Sequence, residues 1–153
     1  MLMSIFYVSV IAEDVSDLDV EIILGVAQVN NRRLDVTGML AVGDGHFAQI
    51  LEGRIDVVSL LFERIQADRR HASVRVLSQE PIVMRRFARW SMRLVNITDL
   101  SDELILLHRE GNKGGERVRQ LVQALMPESQ RVGLSTACYE AGFRSRRSTD
   151  GQL

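Results

Sequence analysis

The sequence predicts an α+β domain: a ferredoxin-like sandwich of order βαββαββ, with both helices on one face of the sheet and two further helices behind it. Three observations predict it. Short apolar runs of strand character and stretches of helical spacing follow one another in that order. The triplet Gly43-Asp44-Gly45 stands between two of the strand-like runs, a hairpin signal because Asp and Gly tolerate positive φ. The 153 residues, 46% hydrophobic and 25% charged, suit a single folded domain with room for a short extension.

Met3 to Ser9, with aromatic and β-branched members, reads as the first strand. Ser16 caps a first helix, and Asp17 and Asp19 favour its positive end. Leu18, Ile22, Val26 and Val29 recur at helical spacing and read as the buried stripe of that helix, which stops near Asn31. Val36 to Val42 and His46 to Glu52 form the hairpin. A second helix spans about Arg54 to Asp68, with Val57, Leu61 and Ile65 on one face. Val74 to Gln79 is a fourth strand, Pro81 breaks the pattern, and Trp90 to Val95 reads as a fifth. Ser101 to Arg109 and Gly115 to Met126 look helical, the first with Leu104 and Leu107 on one face, the second with Val118, Leu121, Val122 and Leu125; they suit the open face of the sheet. From Pro127 onward the chain is rich in Ser, Arg and Gly and is expected to be loosely ordered.

Composition excludes several functions. Eight aromatic residues, five Phe, two Tyr and one Trp, are too few for a surface that stacks bases. The net charge of −1 recruits neither nucleic acid nor anionic lipid. Charge is uneven, with 2 basic and 8 acidic residues before position 54 and 9 basic and 4 acidic over 54–93. A single cysteine, Cys138, rules out an internal disulfide and a Cys-rich metal site, and three scattered histidines argue no metal centre. No apolar run reaches the roughly 18 residues of a membrane span, and no export signal is visible, so a cytoplasmic protein is expected. Phosphate loops, His-Glu-x-x-His and nucleophile elbows are absent.

Polar residues nonetheless stand where a core prefers apolar ones. Tyr7 shares a strand face with Ile5, and Gln49 shares one with Phe47 and Leu51. A tyrosine there is commonly a core residue with a satisfied hydroxyl. The amide must find partners or cost about 1–3 kcal/mol, so a structural and a functional role stand level. Asn30-Asn31 reads first as a helix stop, and Arg64 with Asp68 first as a surface ion pair, though in the less favourable orientation.

Taken together these residues resemble a known family. Phe-Tyr-Val-Ser around Tyr7, Asn30-Asn31 followed by Val36-Thr37-Gly38-Met39-Leu40, and Phe47-Ala48-Gln49-Ile50-Leu51-Glu52-Gly53 resemble the BLUF domain, a blue-light sensor using FAD. Asp68-Arg69-Arg70-His71 and Arg86-Phe87-Ala88-Arg89-Trp90-Ser91-Met92 continue the likeness in the same order, over about residues 1–95. The resemblance implies a flavin held without covalent attachment between the two helices. It implies Ile23 and Ile65 flanking the ring and Asn31 at its C4 carbonyl and N3, with Asn30, Arg64, Asp68, Arg70 and His71 at the remaining edge and tail. It also implies electron transfer coupled to a proton between Tyr7 and the excited ring. Gln49 then bridges the two, turning its amide or changing tautomer to strengthen bonding at C4 and shift absorption to the red. Trp90 and Met92, two apart, share a strand face and carry the signal onward, one or the other beside Gln49. Two positions depart from the family pattern: Ala27, where a serine is frequent, and Arg93, where a small residue is frequent.

By this reading residues 1–95 sense light, 96–126 form a helical cap and 127–153 a tail. With no room for a catalytic domain after residue 95, a short stand-alone protein is expected that is not an enzyme and acts through a downstream signalling protein. Family likeness implies a homo-oligomer, a dimer or larger ring. The alternative is a small-molecule-binding or acylphosphatase-like enzyme, but no Arg or Gly follows Tyr7 to cradle an anion.

Overall fold

The computed structural model describes residues 1–96, 101–111 and 115–126. Its elements are β1 (Leu2–Ile11), α1 (Asp17–Arg33), β2 (Thr37–Gly43), β3 (His46–Arg54), α2 (Ile55–Ala67), β4 (His71–Ile82), β5 (Arg93–Asn96), α3 (Ser101–Glu110) and α4 (Gly115–Leu125). The chain divides into two compact units, Met1–Val118 and Arg119–Leu153. The tail reading and Cys138 lie outside the described residues.

The sheet has the order β4-β1-β3-β2-β5. Its first four strands are antiparallel neighbours, and β5 joins β2 in parallel. This is the ferredoxin-like arrangement with one added edge strand. Asp44 and Gly45 both take positive φ, 43° and 71°, as a tight hairpin between β2 and β3 requires. Gly38 on β2 admits no side chain, because a Cβ would lie 1.9 Å from the Ile50 carbonyl oxygen of β3.

The face toward α1 and α2 buries Met3, Ile5, Tyr7, Leu40, Phe47 and Leu51, joined by Val58 and Phe62 from α2 and by Met92. The opposite face buries Phe6, Val8, Ala48 and Ile50. There α3 lies against β1 and β3, with Leu104 and Leu107 fully buried as their spacing predicts.

The fold corrects the sequence reading in four places. The α1 stripe Leu18, Ile22, Val26 and Val29 is not buried; each is at least 50% exposed. The inward face is instead Val20, Ile23, Leu24, Ala27 and Asn31. Apolar residues lie on both sides of this helix, so periodicity alone has two solutions. The helix also runs past Asn31 to Arg33, and the left-handed residue is Asp35, at φ 52°. β4 begins at His71 and continues through Pro81. It is an edge strand, where the missing N–H of proline breaks no central ladder. Finally, β5 starts at Arg93, so Trp90 and Met92 precede it. The Ser16 cap stands as read: its hydroxyl and the Asp19 carboxylate form a reciprocal capping box.

Candidate functional site

A cleft of about 330 Å³ opens between α1 and α2 above β3. Ile23, Asn30 and Asn31 reach it from α1, Gln49 from β3, Arg64 and Ile65 from α2, and Asp68, Arg70 and His71 from the turn into β4. Nine of the ten residues singled out for a cofactor therefore line one cavity. The tenth, Tyr7, faces Gln49 across the β1–β3 pair.

The walls are apolar, from Ile23, Ala27, Leu61 and Ile65, and the polar groups converge on the floor and rim. Tyr7 is fully buried, with its ring 5.2 Å from that of Phe62 and 6.1 Å from that of His71. Its hydroxyl donates to Gln49 Oε1. Burial, reinforced by the Asp68 charge, raises the Tyr7 pKa far above that of a free phenol, so the hydroxyl keeps its proton at neutral pH. The Gln49 Nε2 group faces Met92 Sδ at 3.6 Å. A thioether is a weak acceptor, so this amide is held firmly at its oxygen and loosely at its nitrogen.

Asn31, only 2% exposed, donates from Nδ2 to the Ser91 carbonyl at 2.9 Å. Its Oδ1 accepts no hydrogen bond among the described residues, which leaves a buried acceptor on the cleft wall. A ligand presenting an N–H beside a carbonyl satisfies that oxygen and the loosely held Gln49 amide together. The imide edge of a flavin has this pattern, so the residues present fit the group.

At the rim, Arg70 binds Asp68 through Nη2 at 2.5 Å and Nε at 3.0 Å. Those bonds hold the Asp68 carboxyl at about 2, against an ordinary 3.8. Its folded value is depressed, so the pair stabilises the protein fully above about pH 4 and the contribution fades as pH falls toward 2. Asp68→Asn should therefore lower the melting temperature at pH 7, and the two melting temperatures should converge as the pH falls to about 2. His71 shares a 2.9 Å hydrogen bond with Ser9 Oγ, and burial lowers its pKa despite the opposing Asp68 charge.

The structure separates Trp90 from Met92. Met92 belongs to the buried cluster beside Gln49. Trp90 lies in the β4–β5 loop, against Phe87 with ring centroids 6.4 Å apart and under the Arg93 guanidinium at 5.0 Å. The two do not share a strand face. The Ser91 and Met92 carbonyls are taken by Asn31 and by Gln28 Nε2 of α1, and that of Trp90 by Gly38 N–H.

Sequence reading missed what holds this loop. Glu52 is fully buried on the sheet face opposite Gln49. Its carboxylate accepts from Arg86 Nε at 2.9 Å and from the Phe87 N–H at 3.0 Å. Arg86 also donates to Ser4 Oγ at 2.7 Å. On the other side, Arg85 grips Asp35 at 2.7 Å. The available signal was strand alternation: Ala48, Ile50 and Glu52 share a face, so a carboxylate there needs a cationic partner. Among the described residues no cluster of three or more His, Cys, Asp or Glu suits a metal.

Residues 2–93 match the family model described as sensors of blue light using FAD. The chain belongs to the BLUF family. It is accordingly a flavin-binding blue-light sensor whose cofactor is FAD, and the matched domain is sensory rather than catalytic. This match selects the sensor over the acylphosphatase-like alternative.

Over 97 residues the chain is 32% identical to the blue light- and temperature-regulated antirepressor BluF of Escherichia coli (strain K12), covering 63% of this chain and 24% of that protein. Over 92 residues it is 34% identical to the photoactivated adenylate cyclase subunit beta of Euglena longa, covering 60% of this chain and 11% of that one. The chain thus spans less than a quarter of these curated relatives. Among solved structures, the dark state of the BLUF protein BlrB is 36% identical with a TM-score of 0.68, over 78% of this chain and 91% of that one. The ground state of BlsA is 30% identical with a TM-score of 0.69, over 82% and 88%. These neighbours share the α+β fold. Among the described residues no helix is long and apolar enough to cross a membrane.

Proposed function

We propose that the cleft between α1 and α2 holds the FAD, with Ile23 and Ile65 against the ring and Asn31 at its imide edge. Asn30, Arg64, Asp68, Arg70 and His71 serve the remaining edge and the tail. When bound, FAD absorbs blue light and accepts an electron. The observation that carries this reading is the chain of contacts from Tyr7 hydroxyl to Gln49 amide to Met92 sulfur beneath the cleft.

Tyr7 keeps a transferable proton on its hydroxyl and directs it at Gln49 Oε1, because burial keeps the phenol neutral. Gln49 is held at its oxygen by Tyr7 and at its nitrogen only by a thioether, so its amide re-aims once the Tyr7 hydrogen bond is broken. Met92 then gains or loses the amide donor, and its own carbonyl is tied to Gln28 of α1. A change at Gln49 is thereby passed to the β4–β5 loop, where Trp90 reports it. This is a two-state packing change biased by hydrogen bonding in the cleft.

The output is a changed protein–protein interaction: residues 1–95 sense, 96–126 cap, and a downstream signalling protein receives the signal in the cytoplasm. The chain itself works as a homo-oligomer, a dimer or larger ring. An output through other proteins or domains is supported by relatives named as an antirepressor and as a photoactivated cyclase subunit.

The test is direct. Purified protein reconstituted with FAD should be yellow, and blue light should shift its flavin bands slightly to longer wavelength, reversibly in the dark. A protein that takes up no FAD, or whose bound flavin shows no reversible shift, overturns the proposal.

A further inference from the structure

The outward face of α1 carries a row of apolar side chains that no described part of the chain covers. Leu18, Ile22 and Val29 are 65%, 52% and 52% exposed. With Gly25 they repeat at intervals of four, three and four residues, the spacing of a helix–helix seam. Gly25 sits mid-helix, where glycine costs about 0.5–1 kcal/mol relative to alanine. Packing among the described residues does not require it, since a Cβ there would meet none of their atoms within 4 Å. The row is also polar at its ends in opposite senses. Glu13, Asp14 and Asp17 stand at the N-terminal end and Arg32 and Arg33 at the other, all exposed and none in an ion pair among the described residues.

We infer that a second copy of this chain docks on this face through its own α1, antiparallel about a two-fold axis. Antiparallel pairing sets the acidic end of each helix against the basic end of its partner, at both ends at once; parallel pairing would set like charge on like. With the axis between Ile22 and Gly25, each Ile22 enters the open space over the partner's Gly25, and each Leu18 meets the partner's Val29. The missing side chain at Gly25 is then the notch that lets the helices approach. One helix face is small beside a standard interface of about 1,600 Å², so the association is weak and concentration-dependent.

This inference rests on the homo-oligomer reading above and names the surface that makes it. Sedimentation velocity of the FAD-loaded chain over a concentration series tests it, with thermal melts of each variant alongside. The wild type should associate as concentration rises. Gly25→Leu should melt no lower than wild type, because the added side chain has room and favours the helix, yet it should weaken association about tenfold or more by filling the notch. Asp17→Arg should also weaken association, and adding Arg32→Glu should restore it, a rescue that a defect in folding does not produce. If the wild type associates but these substitutions leave it unchanged, the α1 face is wrong and the oligomer reading stands. A wild type that is monomeric at every concentration leaves the row to the chain's own later residues or to a different protein, and overturns both.

Discussion

Replacing Gln49 by Leu is expected to leave FAD bound and to abolish the light-induced red shift. The apolar walls of the cleft, its rim charges and Asn31 are untouched by the change. What disappears is the one group that touches Tyr7 on one side and Met92 on the other. Leucine fills nearly the same volume, so the strand keeps its packing. The Tyr7 hydroxyl, fully buried, loses its acceptor, and that should cost about 1–3 kcal/mol of stability. Tyr7→Phe removes the same hydrogen bond from the other end and keeps the ring contact with Phe62. It too should retain yellow protein with little or no normal shift. The measurement is a light-minus-dark difference spectrum on each purified variant, with flavin occupancy read from the dark spectrum. A full reversible shift in Gln49→Leu would remove the amide from the switching mechanism.

The second large effect lies on the far side of the sheet. Glu52→Ala is expected to destabilise the protein by about 1–3 kcal/mol, because it removes the buried carboxylate from the Arg86 guanidinium and leaves it the longer ion pair with the more exposed Glu80. It also orphans the Phe87 N–H. The consequence should extend to the light cycle, since the loop anchored there carries Trp90 and Met92. Glu52→Gln keeps an acceptor for the Phe87 N–H while losing the charge, and should fall between the two. Urea melts measure the stability. The fluorescence of Trp90, the sole tryptophan, reads the loop directly. If Glu52→Gln leaves stability, Trp90 emission and dark recovery all unchanged, the carboxylate is not what holds the loop.

Much of this protein is legible in its amino-acid sequence. The order of elements, the Asp44-Gly45 hairpin and the capping box at Ser16 depend on local backbone preferences, which short stretches of chain express fully. The site residues Tyr7 and Gln49 stand out as polar groups on apolar strand faces, and their inward orientation follows from the same period of two.

Chemistry within one strand, helix or turn therefore set the element order, the hairpin and the inward orientation of Tyr7 and Gln49. Three other matters were decided by packing between distant parts of the chain. The sheet chose which apolar side of α1 turns inward, because Ile23, Leu24 and Ala27 meet it while an equally periodic row stays in water. Met92, not Trp90, came to lie beside Gln49, because side chains of α1 capture the carbonyls of the loop before β5 can begin. Glu52 was joined to Arg86 across 34 positions of sequence. Each is a competition between groups far apart in the chain, settled by apolar packing in the first case and by which buried polar atom finds a partner in the other two, and no local pattern records its outcome.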